Sequence, residues 1–208
     1  MITDCHSHSL RKNAIVSVTP HEELHSGYSY STGIHPWESE KDFDMQYLEI
    51  IITDPHILAV GETGLDKLRG AQLKHQIPLF EKHIELSERH CKPLIIHCVK
   101  AYQQLIEIKK HMSPQQPWII HGFRQNPQVA EMLLGNGIYL SIGEHFNEES
   151  VKIIPADRLL IETDMSRLNI ESIASMVART RETDFQQILD TCASNIDYIC
   201  NNKNIKSS

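Results

Sequence analysis

Eight short runs of apolar, largely β-branched residues recur along the chain, at positions 1–4, 14–18, 28–33, 57–61, 94–96, 118–120, 137–142 and 159–161. Each has the length of a buried strand and is too short to be the core of a helix. Helical periodicity fills the later gaps. One stretch is entered through Pro78 in its first turn and turns Leu79, Phe80 and Ile84 inward. Others carry Tyr102, Leu105, Ile106 and Met112, then Val129, Ala130, Leu133 and Leu134. The last spaces Phe185, Ile188, Leu189, Cys192, Ile196 and Ile199 along one helical face. Strands alternating with helices require parallel pairing through right-handed crossovers. Eight such units predict an α/β fold of the (β/α)8 TIM-barrel type, with an open doubly wound sheet as the alternative. The run Gly61-Glu62-Thr63-Gly64 does not complete a Gly-x-Gly-x-x-Gly dinucleotide fingerprint.

The spacing also says where this barrel is cut down. Positions 9–13 alone join the first two strands and 19–26 the next two. The first outer helix is therefore expected to be missing and the second to be one turn at most, with later helices full length. The exposed strand backs there would be covered by the C-terminal helix or by a second subunit. At 208 residues the chain is short for a fold that typically takes about 250. Residues 1–200 form one expected domain, followed by a flexible polar tail at 201–208.

Composition narrows the partners. Acidic residues number 27 against 20 basic ones, a formal charge of −7, so no whole-surface basic field is available for a polyanion. Nucleic-acid contact would have to be local. Aromatic residues are 6% of the chain and are not interleaved with basic runs. Five cysteines without Cys-x-x-Cys spacing argue against a disulfide framework or a thiolate zinc site. The opening Met1-Ile2-Thr3-Asp4-Cys5-His6 lacks basic and apolar leader regions, and no apolar run reaches a membrane span. The expectation is a cytoplasmic protein, monomer or homodimer, with no membrane partner.

The polar residues at strand ends carry the chemistry. Asp4, His6 and His8 alternate at the end of the first strand and are expected on one face, about 6–7 Å apart. His35 follows the third strand and Glu62 the fourth; His97, His121 and Asp164 end the fifth, sixth and eighth. Taken singly, each has an ordinary reading: a chance His pair, a helix cap at Asp164, a buried hydrogen-bonded histidine at His97. Together, four histidines (His6, His8, His97, His121) and two carboxylates (Glu62, Asp164) end five strands at the same end, where barrels build active sites. Five of the 13 histidines end strands; the other eight lie in helices or loops. This set points to a divalent-metal site. Cys98 alternates away from His97, and the sequence has no Gly-x-Ser-x-Gly elbow and no Gly-Lys-Ser/Thr phosphate loop.

The same residues carry a resemblance to the TatD-like metal-dependent hydrolases of the amidohydrolase-type barrel superfamily. Asp4-Cys5-His6-Ser7-His8 resembles the family's Asp-x-His-x-His, and Gly33-Ile34-His35-Pro36-Trp37 its Gly-(Ile/Val)-His-Pro. Gly61-Glu62-Thr63-Gly64-Leu65-Asp66 is similar to Gly-Glu-x-Gly-Leu-Asp, and Pro93-Leu94-Ile95-Ile96-His97 to Pro-x-x-x-His. His121-Gly122-Phe123, Leu159-Leu160-Ile161-Glu162-Thr163-Asp164 and Asn195 match further family positions. The resemblance implies two divalent ions (Zn, Mn or Mg). His6, His8 and Asp164 would hold one and His97 and His121 the other, with Glu62 bridging both and Asp164 orienting the attacking water and taking its proton. It implies a phosphodiesterase, a deoxyribonuclease of the 3′-end exonuclease type acting on DNA or a small phosphodiester. The alternative is hydrolysis of an amide, ester or D-aminoacyl-tRNA bond at the same metals. Where the family often has His-Ser-Arg-Asp, this chain has His97-Cys98-Val99-Lys100, and Arg124 and Lys67 also replace usual family residues. Lys67, Arg69, Lys100, Arg124 and Arg167 all follow strand ends and are expected to form a basic rim that binds phosphate beside His35.

Overall fold

The computed structural model describes residues 1–201, and the expected tail beyond Asn201 lies outside them. The eight strands are β1 (Asp4–Ser7), β2 (Ala14–Val18), β3 (Ser29–Thr32), β4 (Ile57–Asp66), β5 (Leu94–Val99), β6 (Trp118–Ile120), β7 (Tyr139–Ile142) and β8 (Leu159–Ile161). They pair in chain order, every pair parallel. The ring closes where Asp164 N donates to His6 O (2.9 Å) and His8 N to Asp164 O (3.1 Å). An open doubly wound sheet would leave β1 and β8 as edges; here they meet.

Side chains alternate between the barrel interior and the helical layer. Cys5, Ile15, Ala59, Ile95, Ile119, Tyr139 and Leu160 form one buried cluster, drawn from seven strands. Their neighbours Val60, Leu94, Ile96, Cys98, Trp118, Ile120, Leu140, Leu159 and Ile161 pack outward against helices. The helices are α1 (Met45–Ile52), α2 (Leu73–His90), α3 (Tyr102–Met112), α4 (Pro127–Leu134), α5 (Glu148–Ile153), α6 (Ile170–Thr180) and α7 (Phe185–Asn201). Asp44, Asn126, Asn147 and Asn169 cap α1, α4, α5 and α6, each accepting from backbone N–H groups of the first turn.

No helix follows β1 or β2, so the barrel is trimmed as expected. Three expectations need correction. The α7 helix does not cover the backs of β2 and β3. Its Ile196 and Ile199 instead join the interior cluster, and Asn195 donates to Ala156 O and Leu159 O at the start of β8. The helix thus closes the bottom of the barrel, opposite the strand ends that carry the polar residues. The outer residues Ala14, Val16, Tyr30 and Ile57 are covered by Leu24 and Tyr28 of the short connection and by Ile51 of α1. Secondly, α4 and α5 have only eight and six residues. The α5 helix stops because Ile154 precedes Pro155 and is forced extended (ψ 121°). Thirdly, α2 begins at Leu73, so Pro78 lies inside the helix and not in its first turn. Buried Gln76 pins that early start to β4: its Oε1 accepts from Asp66 N (2.7 Å), and its Nε2 donates to Asp66 O (2.8 Å) and Ala71 O (2.6 Å).

Candidate metal centre

Five imidazoles converge on Glu62 at the carboxyl end of the barrel. Glu62 Oε1 lies 3.0 Å from His35 Nε2, 3.0 Å from His97 Nδ1 and 2.8 Å from His121 Nε2. Its Oε2 lies 3.4 Å from His8 Nε2 and 3.5 Å from His6 Nε2. Asp164 Oδ1 stands 3.6 Å from His8 and 3.8 Å from His6.

Strand alternation brings His97 and His121 into the site, two residues beyond inward-facing Ile95 and Ile119. It does not bring Glu62 or His6, which follow inward residues by odd steps. The strand registers shift between Val60 and Thr63 on β4 and between Asp4 and Ser7 on β1, and these irregularities re-aim both side chains. Asp4 accordingly leaves the face expected for it. Its carboxylate accepts from Thr163 N (3.0 Å) and Thr163 Oγ1 (2.6 Å), tying β1 to β8, while Cys5 takes the interior position against Ser141 Oγ (2.9 Å). Gly61 (φ 145°) and Gly64 (φ 137°) are demanded by close approach of β5: a Cβ would stand 2.4 Å from Ile95 O and 2.1 Å from His97 O.

The hydrogen-bond pattern sorts the histidines. His35 Nδ1 accepts from Trp37 N (3.2 Å), so its Nε2 carries the proton and donates to Glu62. His35 thereby orients the carboxylate. His97 has the reverse arrangement: its Nε2 donates to Asp66 Oδ2 (3.1 Å), which also accepts from Trp37 Nε1 (2.7 Å), leaving the Nδ1 lone pair aimed at Glu62. His121 is backed by buried Glu162, whose Oε1 is 3.4 Å from Nδ1 and accepts from Gly122 N (2.6 Å). His6 is wholly buried, yet neither ring nitrogen makes a hydrogen bond, and His121 Nδ1 makes none either. Lone pairs facing a carboxylate and buried nitrogens without partners are what a cation would satisfy, and acidic groups behind ligating imidazoles are the usual outer support. Among the described residues, four donor sets are close enough to share one ion: His6–His8–Asp164, His6–Glu62–His121, His35–Glu62–His97 and His121–Glu162–Asp164.

Electrostatics agree with that reading. Burial opposes ionisation of Glu62, but His121, His35 and His6 beside it hold its carboxyl well below the usual range. Burial likewise opposes charge on His121, and Glu62 and Glu162 override it, raising the imidazole well above its ordinary value. The hydrogen bond to Glu62 raises His8. The site is thus built to hold positive charge. Asp164 adopts φ 48°, a left-handed conformation that Asp tolerates, and Asn169, not Asp164, caps α6.

Two cavities flank the cluster, and His97, His121 and Asp164 line both. One, about 440 Å³, includes Lys100 and Arg124 in its walls together with Glu162. The other, about 890 Å³, is lined by the segments that follow β2 and β3. Lys67, Arg69 and Arg167 are outside both linings; Arg69 sits over the Trp37 ring, 5.0 Å from its centroid. Of the expected rim, Lys100 and Arg124 are the members that line a cavity beside the cluster. Sequence reasoning missed Asp66 and Glu162 as partners of His97 and His121, and also His83. The pairing of an acid with each strand-end histidine was the available signal for the first two; nothing pointed to His83.

The family model described as "TatD related DNase" matches residues 2–201. An "Uncharacterized metal-dependent hydrolase" of Buchnera aphidicola is 34% identical over 67% of this chain and 56% of its own length. A "3'-5' ssDNA/RNA exonuclease TatD" of Erwinia amylovora is 31% identical over 67% of this chain and 59% of its own. The matched stretch thus spans between half and three-fifths of these relatives. The fold is similar to that of a TatD homolog of Escherichia coli (TM-score 0.79, 22% identity, 90% of this chain and 86% of the other). It is also similar to a TatD-family hydrolase of Entamoeba histolytica (TM-score 0.72, 17% identity, 83% and 75%).

Proposed function

Because the chain belongs to the TatD-related DNase family, we propose that it is a divalent-metal-dependent phosphodiesterase, a deoxyribonuclease that removes nucleotides from a 3′ end. The observation that carries this reading is the convergence of five imidazoles on Glu62, among them buried His6 with both ring nitrogens unpartnered, beside a cavity whose walls include Lys100 and Arg124 as well as Glu144 and Glu162. His6, His8 and Asp164 would hold one ion and His97 and His121 a second, with Glu62 shared between them. Two divalent ions of Zn, Mn or Mg would supply Lewis acidity toward water and phosphoryl oxygens and lower the pKa of the water.

The chain's own groups do the rest. Asp164, with a side chain 38% exposed, is placed to orient the attacking water and accept its proton at Oδ1. Lys100 and Arg124 bind the non-bridging oxygens of the diester and offset its charge. His35 keeps Glu62 turned toward the cluster by donating to it. Asp66 holds the ring of His97 by a hydrogen bond, and the Glu162 carboxylate 3.4 Å behind His121 favours positive charge on that ring, so the site is organised before substrate arrives. Attack in line with the departing alkoxide forms the new P–O bond and breaks the old one.

Those two basic groups favour the phosphodiester over a neutral amide or ester, which needs no cation for its substrate. The test is a panel assayed with added Mn, Mg or Zn: end-labelled single-stranded DNA, bis-p-nitrophenyl phosphate, a lactone and a D-aminoacyl-tRNA. Shortening of the DNA from its 3′ end and diester hydrolysis are expected. Turnover of the lactone or the D-aminoacyl-tRNA with no phosphodiester cut would overturn the assignment.

A further inference from the structure

The two oxygens of Glu62 face unequal surroundings. Toward Oε2 stand His6, whose ring nitrogens make no hydrogen bond, and His8, whose side chain is 37% exposed. Toward Oε1 the support runs deeper, and one residue joins it at two points. Trp37, in the turn Pro36–Glu38 that follows β3, donates its backbone N–H to His35 Nδ1 (3.2 Å) and its indole N–H to Asp66 Oδ2 (2.7 Å). The same Oδ2 accepts from His97 Nε2 (3.1 Å), and the indole meets the His97 ring edge-on at 5.7 Å. The indole is itself held. Arg69 lies over it, and Gly70 packs so closely that a Cβ there would stand 2.7 Å from Trp37 Cα. Arg69, expected at a phosphate, is thus engaged at the indole instead.

These contacts bear on metal because an imidazole ligates only through a nitrogen that carries no proton. With Nε2 donating to Asp66, His97 presents a bare Nδ1 toward Glu62, 3.0 Å from Oε1. The other tautomer would present a proton there. Asp66 is buried, and its Oδ1 accepts from Leu68 N and Arg69 N. Among the described residues its Oδ2 has two donors, the indole and His97. Loss of the indole N–H leaves Oδ2 with His97 alone, and the carboxylate turns more freely and holds the tautomer less firmly. We propose that Trp37 is a positioning residue: through Asp66 it fixes His97 for an ion on the Oε1 side of Glu62 and contributes nothing to an ion held by His6, His8 and Asp164. This rests on the two-ion reading and deepens it, since it makes the affinities of the two ions separately adjustable.

The test is uptake of Mn by metal-stripped full-length protein, read by competition with a chelating dye, so that no turnover is involved. The wild type should take up two ions. Trp37→Phe keeps a ring and loses the N–H; it should bind one ion as the wild type does and the other about tenfold more weakly. In a His8→Ala background the same substitution should again weaken uptake about tenfold, and in a His97→Ala background it should change nothing. Damage to the fold at large would instead weaken uptake in both backgrounds. Unchanged uptake in Trp37→Phe, equal weakening of both ions, or a further loss in the His97→Ala background overturns the role of Trp37 and leaves the two-ion reading standing. Uptake of no more than one ion by the wild type overturns the two-ion reading and the role of Trp37 with it.

Discussion

Buried His83 gives a prediction whose sign and size follow from its surroundings. The side chain projects from α2 with no exposure and bridges two backbone groups: Nδ1 donates to Leu79 O (2.7 Å), and Nε2 accepts from Ile34 N (3.0 Å), next to His35. Accepting at Nε2 requires the neutral ring. Burial, with Lys82 nearby, pushes its pKa from 6.5 down to about 4. Above pH 6.5 folded and unfolded chains both carry the neutral imidazole, and its stabilising effect is complete. As pH falls through 6.5 the unfolded chain takes a proton that the folded chain refuses, so stability is lost progressively until about pH 4. A gap of about 2.5 pKa units at 1.36 kcal/mol each comes to about 3 kcal/mol. His83→Gln keeps an acceptor near Ile34 N and removes the titration. The assay is urea unfolding of metal-free wild type and variant between about pH 7.5 and 4. The wild type should lose about 3 kcal/mol more than the variant across that window, since other titrating groups cancel in the difference. Parallel curves would refute the assignment of a neutral, backbone-bridging His83.

Three further outcomes follow from the site. Gly64→Ala puts a Cβ 2.1 Å from His97 O at φ 137°, so β4 and β5 must separate; a loss of about 2–4 kcal/mol in urea unfolding, with weakened metal uptake, is expected. A change under about 0.5 kcal/mol would show that the strands yield freely. Metal must displace the protons that Glu62 favours on His8 and His121. Apparent affinity should therefore rise with pH above 6.5, with proton release on binding, as measured by competition with a chelating dye; a flat profile would contradict it. Arg124→Ala should raise KM for a phosphodiester about tenfold or more and leave KM for a neutral ester nearly unchanged; equal effects on both would remove Arg124 from phosphate binding.

Much of the site can be read from strand ends because alternation is a strict geometric rule. With Ile95 and Ile119 in the interior, His97 and His121 must follow them to the same side, and outward Cys98 confirms the parity. The trimmed side is equally legible, since neither of the first two connections has room for a helix of useful length. Alternation fails at Asp4, His6 and Glu62, where register shifts reverse the face, and a run of residues does not announce such a shift. Partners separated by long stretches of chain are the other blind spot. The Asp66–His97 contact spans 31 positions and the Ile34–His83 contact 49. Cover for the β2 and β3 backs was misplaced for a related reason: Ile196 and Ile199 are apolar on either account, and only the path of α7 decides what they bury.

The most direct test of the central claim is a metal titration of stripped protein, with hydrolysis of bis-p-nitrophenyl phosphate followed against equivalents of Mn added. Activity should rise to a plateau at two ions per chain, and Glu62→Ala should abolish both the plateau and tight uptake of metal. A plateau at one ion, or turnover that survives in Glu62→Ala, would contradict a shared carboxylate at the heart of a two-ion site.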